Sequence, residues 1–128
     1  MRQIPLKPTS AELEILSVLW ERGPSTVREV QQALSRKKAT GYTTVLKLLQ
    51  IMTEKGSVRR DEKQRAHVYA ASQTAENTKR QLAGDVLQRV FGGSASQLMM
   101  HALGGRRTSP QEIEELQRVL SEYARRSR

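Results

Sequence analysis

The chain of 128 residues contains no cysteine, so it cannot form a disulfide, a zinc–cysteine site or a thiol nucleophile. Long apolar runs are missing as well, and none approaches the ~20 residues that a membrane-spanning helix needs. The opening letters, MRQIPLKP, lack the apolar centre of a signal peptide. We therefore expect a cytoplasmic protein that does not insert into membranes.

Aromatic residues make up 4% of the sequence, too few for a surface on which single-stranded DNA or RNA would stack its bases. Catalytic groups are equally sparse. His67 and His101 lie far apart, with no nucleophile pattern near either. Clustered metal ligands and a glycine-rich phosphate loop are also missing. The sequence therefore predicts no enzyme, no metal site and no cofactor.

Positive charge, in contrast, is plentiful. The chain has 22 Lys and Arg against 13 Asp and Glu, which gives a net charge of +9 and an isoelectric point near 10.5. Residues 1–72 carry 13 cations and 7 anions (+6), and residues 73–128 carry 9 and 6 (+3). This balance favours polyanionic partners, nucleic acid first and an anionic membrane surface second.

The segment 40–56 predicts the helix around which the chain is organised. Its apolar residues recur at the spacing of one helical face, and they are Val45, Leu48, Leu49 and Met52. Gly56 supplies the left-handed conformation that ends many helices. A short strand at 57–60, a charged tip at 61–65 and a returning strand at 66–70 follow. A helix with a polar outer face before a basic hairpin is typical of a winged helix-turn-helix, which binds double-stranded DNA.

Candidate DNA contacts lie on the polar face of this helix and in the wing. They are Tyr42, Thr43, Thr44, Lys47, Arg59, Arg60, Lys63 and Arg65. Lysine can donate to guanine and threonine can contact the thymine methyl group, so we expect the helix residues to read bases. The basic connection at 35–39, just before the helix, is either a solvated loop or a further phosphate contact.

Two helices are predicted before this motif. Thr9 and Glu12 form a capping box at the start of the first. Its inward residues are Leu13, Leu16, Leu19 and Trp20. The second helix opens at 24–26, where the hydroxyl of either the serine or the threonine can cap it. Its buried residues are Val27, Val30 and Leu34.

Residues 74–128 predict three amphipathic helices. They cover only about 55 residues, and below roughly 70–80 residues a single core rarely gives enough stability. We therefore expect a second copy of the chain to cover their apolar faces. The predicted dimerisation residues are Val86, Leu87, Val90, Phe91, Leu98, Met99, Leu103, Ile113, Leu116 and Leu120. A compact helical cap folded onto the first domain is the alternative.

These elements predict a mainly α fold with a small β-hairpin wing. A flexible lead-in at 1–8 precedes a winged helix-turn-helix domain at 9–73. A C-terminal helical dimerisation domain at 74–128 completes the chain.

With its elements placed, the chain resembles the penicillinase repressor (BlaI/MecI) family of bacterial transcriptional regulators. The matching blocks are AELEIL (11–16), LW (19–20), YTTV (42–45), EKG (54–56), RAHVY (65–69) and SPQEIEEL (109–116). No one block is diagnostic, but their order and spacing across about 110 residues are specific.

The resemblance implies a transcriptional repressor that is a homodimer on a palindromic DNA operator, with a role in the antibiotic response. It also implies a further partner, a membrane-bound sensor metalloprotease, whose signal leads to cleavage of the repressor in its dimerisation region. The family's scissile bond joins an asparagine to a phenylalanine. The pair aligned with it is His101 and Ala102, so the resemblance makes these residues the cleavage candidate, with different side chains at the bond.

Two other functions stay open on the residues alone. One is a non-specific or architectural DNA-binding protein, and the other is a helical adaptor whose basic surface docks an acidic partner. A palindrome-dependent footprint at physiological salt separates them, because non-specific binding collapses with salt and carries no sequence preference.

Overall fold

Residues 7–127 are described by the structure, a computed structural model, so most of the predicted lead-in at 1–8 lies outside the described residues. In chain order the elements are α1 (Ser10–Arg22), β1 (Ser25–Thr26), α2 (Val27–Ser35), α3 (Tyr42–Lys55), β2 (Val58–Asp61), β3 (Val68–Ala71), α4 (Ala75–Arg89), α5 (Ala95–Gly104) and α6 (Pro110–Arg126). The strands form a three-stranded antiparallel sheet in the order β1-β3-β2. The predicted mainly α fold with a small β wing is confirmed.

The chain divides into two compact units, the first reaching to Leu82 and the second beginning at Ala83. This division lies inside α4, whereas the sequence predicts a domain boundary at 73–74, just before that helix. The start of α4 belongs to the first unit, where Thr78 is buried. The first compact unit therefore ends inside α4 and not before it. The functions assigned to the two predicted domains stay predictions.

Reciprocal capping boxes start both of the first two helices. Thr9 Oγ1 accepts from Glu12 N, and Glu12 Oε1 accepts from Thr9 N, both at 3.2 Å. Thr26 and Glu29 repeat this arrangement at 3.2 and 2.9 Å. Each box satisfies backbone N–H groups that a helix start leaves without partners. The structure thus confirms the first predicted box and selects the threonine, not the serine, as the cap of α2.

Strand β1 is an element that the sequence did not reveal, because two residues are too few to show alternation. It pairs with β3, where Ser25 lies opposite Tyr69. The β2–β3 pairs are Val58 with Ala71, Arg59 with Ala70, Arg60 with Tyr69 and Asp61 with Val68. The returning strand predicted at 66–70 therefore begins two residues too early. Pairing stops at Asp61, whose carboxylate accepts from Lys63 N at 2.9 Å and turns the chain into the tip.

The hydrophobic core of the first unit draws on α1, α2, α3 and the sheet. Its most deeply buried apolar side chains are Ile15, Val30, Val45, Leu49, Met52, Val58 and Tyr69. The α3 stripe is confirmed at three positions, and Leu48 is partly buried. The inward residues predicted for α1 are found there: Leu16 and Leu19 are buried, and Leu13 and Trp20 pack against the core as partly buried side chains. Trp20 Nε1 donates to Gln73 O at 2.9 Å, and this need of the indole N–H for a partner keeps the ring at the edge.

One ion pair connects the start of α1 to the end of α3. Glu12 is 3% exposed, and both of its carboxylate oxygens accept from Lys55 Nζ, at 2.9 and 3.0 Å. The same carboxylate completes the first capping box, so one buried group stabilises a helix start and a contact across 43 residues of sequence.

A second ion pair provides a solvent-exposed contrast. Arg22 lies 3.5 Å from Glu29, and both side chains are about 40% exposed or more. The hydrogen bond from Thr26 N is the main cause that lowers the pKa of Glu29 below its ordinary value; desolvation opposes it and the charge of Arg22 assists it.

The second unit is built from the end of α4 and from α5 and α6. Ser94 Oγ caps α5 by accepting from Gln97 N at 3.2 Å, and Ser109 Oγ caps α6 by accepting from Glu112 N at 3.1 Å. Gly92 and Gly93 have φ angles of 58° and 86°, which a residue with a Cβ rarely adopts. Between residues 83 and 127 no residue is buried, and no helix of residues 7–127 is long and apolar enough to cross a membrane.

We predict that the variant Lys55→Met destabilises the first unit by roughly 1–3 kcal/mol, because it leaves a buried carboxylate without its cation. Arg22→Met, which breaks the exposed pair, should cost well under about 1 kcal/mol. Urea unfolding, monitored by the fluorescence of Trp20, measures both losses of unfolding free energy. Trp20 is the single tryptophan and lies in the first unit. Equal losses for the two variants would contradict the prediction.

Candidate nucleic-acid interface

The start of α3 presents polar side chains and backbone donors together. Gly41 is its N-cap and supplies no side-chain hydrogen bond, so the N–H groups of the first turn stay open to an outside acceptor such as phosphate. The buried stripe turns the opposite face of the helix to solvent. The sequence-predicted contacts Tyr42, Thr43, Thr44 and Lys47 are all exposed there.

A network of hydrogen bonds fixes the connection between α2 and α3. Gln31 Nε2 donates to Thr40 O at 3.0 Å, and Ser35 Oγ donates to the same oxygen at 3.2 Å. Thr40 N donates back to Ser35 Oγ at 3.3 Å. The sequence reasoning missed this network, although hydroxyl residues at both ends of a loop are a signal for it. It holds the turn from which α3 starts.

Three exposed cations follow α2 in this connection, Arg36, Lys37 and Lys38. The backbone N–H groups of Lys37 and Lys38 both donate to Leu34 O at 3.2 Å. The basic stretch is therefore a defined turn. Its two predicted interpretations, a solvated loop and a phosphate contact, are both compatible with this exposure.

The four predicted wing residues divide into two pairs. Arg60 lies 2.6 Å from Glu62, and its hydrogen bond with Tyr69, followed by the charge of Glu62, raises the pKa of the guanidinium above its ordinary value. Arg59 donates weakly to Ser72 O at 3.5 Å. The side chains of the second pair, Lys63 and Arg65, are exposed and make no hydrogen bond or ion pair with residues 7–127. The second pair is therefore the one available to an external anion.

A groove of about 470 Å³ separates the first turns of α2 and α3 from the wing. It is lined by Thr26, Val27, Arg28, Tyr42, Leu46, Arg65, Ala66, His67 and Tyr69. It brings together two predicted contacts, Tyr42 from the helix and Arg65 from the wing, while Thr43, Thr44 and Lys47 lie outside its lining. Arg28 was not singled out from the sequence, yet its Cζ atom lies 5.9 Å from the centre of the Tyr42 ring.

The predicted dimerisation residues lie in the second unit, on or beside its helices. Val86 and Leu87 are in α4, Val90 and Phe91 follow it, Leu98, Met99 and Leu103 are in α5, and Ile113, Leu116 and Leu120 are in α6. Several are strongly exposed, among them Val90 at 68% and Leu120 at 53%.

The cleavage candidates His101 and Ala102 lie inside α5 and are exposed. The His101 ring packs at 5.4 Å on the Phe91 ring, and His101 Nδ1 lies 2.9 Å from Gln97 O. The candidate bond is therefore held in helical backbone. Within residues 7–127 no group of three or more acidic or histidine side chains is placed to hold a metal ion.

Comparisons with known proteins agree with this arrangement. A family model described as "Penicillinase repressor" matches residues 8–122. The penicillinase repressor of Bacillus licheniformis is 25% identical over 128 residues, which are 100% of this chain and 99% of the relative. The transcriptional regulator BlaI of Mycobacterium tuberculosis (strain H37Rv) is 34% identical over 113 residues, 87% and 80% of the two chains. The solution structure of the DNA-binding domain of the repressor BlaI matches with a TM-score of 0.51 and 26% identity, over 60% of this chain and 93% of that one.

We predict that Lys47→Ala weakens binding to a specific DNA site by roughly 1–3 kcal/mol while affecting random duplex much less, because Lys47 lies where a recognition helix contacts base edges. Lys63→Ala is the matched control, since a phosphate contact loses affinity about equally on all sequences. Fluorescence-anisotropy titrations on both duplexes measure the difference. Equal losses for Lys47→Ala on the two duplexes would assign it to phosphate as well.

Proposed function

Since this chain belongs to the penicillinase repressor family, we propose that it is a homodimeric repressor of a palindromic operator, released from DNA by proteolysis. The family consists of transcriptional repressors with a DNA-binding domain, and such repressors are not enzymes. The finer statements, namely the dimer, the operator and the release, are argued below from the residues of this chain.

The observation that carries the proposal is the exposed polar face at the start of α3. Thr43, Thr44 and Lys47 form a cluster opposite the buried stripe, and the unpaired cations Lys63 and Arg65 belong to the wing of the same unit. Helix-turn-helix proteins place this part of the recognition helix in the major groove. Side chains that can read bases thus share one unit with cations that can bind the flanking phosphates.

The homodimer is supported by what the second unit leaves uncovered. None of its residues from 83 to 127 is buried, although α5 and α6 carry apolar residues at helical spacing. A unit of this size rarely forms a stable core alone, and a second copy of the same surface is the simplest cover for it. A two-fold dimer presents two recognition helices, which require two half-sites related by symmetry.

Release by proteolysis is supported by the form of α5. This helix has ten residues, fewer than an isolated helix needs to be stable in water. Two glycines precede it at 92–93, and two more lie at its C-terminal end at 104–105. A protease binds an extended substrate, so a cut between His101 and Ala102 requires local unwinding of α5. We propose that a membrane-bound sensor metalloprotease gives the signal for this cleavage, and that the cleavage takes place in the cytoplasm.

The dimer and its operator are tested with the variant Leu120→Asp and its neighbour Ser121→Asp. Leu120 is on the apolar stripe of α6 and half exposed within one chain, so a charge there should disrupt association without disturbing the first unit. Sedimentation should show a monomer for Leu120→Asp and a dimer for Ser121→Asp and the unchanged chain. DNase footprints on the promoter of its own gene should show a two-fold symmetric site that the monomeric variant protects far more weakly.

The contrary results each point to a specific alternative. An unchanged chain that sediments as a monomer would overturn the dimer. Protection without sequence preference that vanishes at physiological salt would favour a non-specific or architectural DNA-binding protein. Absence of any DNA binding would favour an adaptor for an acidic partner.

We also predict that a chain truncated after His101 is largely monomeric and binds the operator far more weakly than the full chain. The cut removes α6 and the end of α5, and two heads that are no longer joined lose the gain in effective concentration. A chain that ends after Arg126 keeps α6 and serves as the control. A dimeric fragment with the affinity of the full chain, by sedimentation and gel shift, would overturn the proposed release.

A further inference from the structure

We propose that the groove between α2, α3 and the wing binds a phosphate group of the DNA backbone, with Arg28 and Arg65 as its two cationic sides. This inference rests on the proposed function, because the phosphate belongs to bound DNA. It adds Arg28 of α2 to the interface. Neither the polar face of α3 nor the basic residues of the wing indicated this residue in the sequence.

The charges around the groove are those of an anion site. Its lining contains two arginines and one histidine and no carboxylate. The nearest carboxylates along the chain are engaged with other partners. Glu29 accepts from Thr26 N and pairs with Arg22, and Glu62 pairs with Arg60. An anion in the groove therefore has cations on two sides and no acidic group in the lining to repel it.

Arg28 contacts the start of α3 while its donors stay available. Its Cζ atom lies over the Tyr42 ring, 5.9 Å from the ring centre, which is a cation–π contact. Within residues 7–127 it has no ion pair or hydrogen bond. Its N–H groups are therefore free to make the fork-shaped contact that phosphate accepts.

The other side of the groove comes from the wing. Arg65 is exposed and has no partner among the described residues, and His67 follows it in the lining. The open N–H groups of the first turn of α3 begin at Tyr42, which also lines the groove. Cationic side chains from α2 and from the wing thus line one groove beside the first turn of α3, an arrangement that suits a phosphate.

The position in the motif fits DNA backbone better than a free anion. In helix-turn-helix proteins the first helix of the pair crosses the backbone while the second enters the major groove. Here α2 and α3 are that pair, and Arg28 lies in the first turn of α2. A phosphate held between Arg28 and Arg65 would fix how α3 is aligned along the duplex, which is what backbone contacts do in such complexes.

The test compares Arg28→Met with Arg80→Met, which removes the same charge from an exposed arginine of the same unit outside the groove. Binding to operator and to random duplex is titrated over a range of salt concentrations. Arg28→Met should lower affinity for both duplexes and reduce the slope of log affinity against log salt by about one unit per bound head. Arg28→Lys should keep the slope, and Arg80→Met should change neither quantity.

Two further variants separate a phosphate contact from a purely structural role. Tyr42→Leu keeps the arginine and should leave the salt slope unchanged. Arg65→Met should reproduce the slope change of Arg28→Met from the other side of the groove.

Suppose that Arg28→Met leaves the salt slope unchanged and lowers affinity for the operator alone. This result would show that Arg28 serves only to orient Tyr42, and it would overturn the proposed phosphate site. Such a result leaves the repressor function intact, whereas an unchanged chain that binds no DNA would overturn both.

Discussion

The carboxylate of Glu12 is the group on which the geometry of the first unit most depends. It closes the capping box of α1 and accepts both hydrogen bonds from Lys55, the last residue of α3. A buried charge is tolerated only when its hydrogen bonds and its counter-charge are both supplied. The end of the recognition helix is therefore tied to the start of α1, and the apolar stripe at Val45, Leu49 and Met52 sets its rotation against the core.

The two units differ in how far their apolar residues are buried. The first buries a continuous core and leaves Lys63 and Arg65 exposed without a partner among the described residues. The second has regular, well-capped helices but covers none of its apolar residues fully within one chain. In the proposed homodimer, affinity for DNA would depend on association, because the two heads gain from each other only while the second units hold them together.

Features that depend on local rules could be predicted from the sequence. Thr9 with Glu12 and Gly56 after α3 each follow from the needs of a helix end, and both occur as predicted. Features that depend on the tertiary fold could not. The pairing of Glu12 with Lys55 and the strand at Ser25–Thr26 exist only once distant segments meet.

The candidate site shows the same division. The exposure of Tyr42, Thr43, Thr44 and Lys47 follows from periodicity alone, and all four side chains are exposed in the structure. The engagement of Arg60 with Glu62 and Tyr69 depends on strand register and on a neighbour across the sheet. The cation–π contact of Arg28 with Tyr42 depends on how two helices cross. A list of basic residues drawn from the sequence therefore could not separate the cations that pair within the protein from those that have no partner among the described residues.

The hydrogen bonds that Gln31 and Ser35 make to the backbone of Thr40 have a consequence for the entropy of recognition. A turn that is disordered before binding must lose its conformational freedom when it meets DNA, and that loss subtracts from affinity. Here the turn is already fixed in the free protein, so the ordering cost falls on folding. If α3 binds DNA as proposed, the turn before it therefore needs little further ordering on binding.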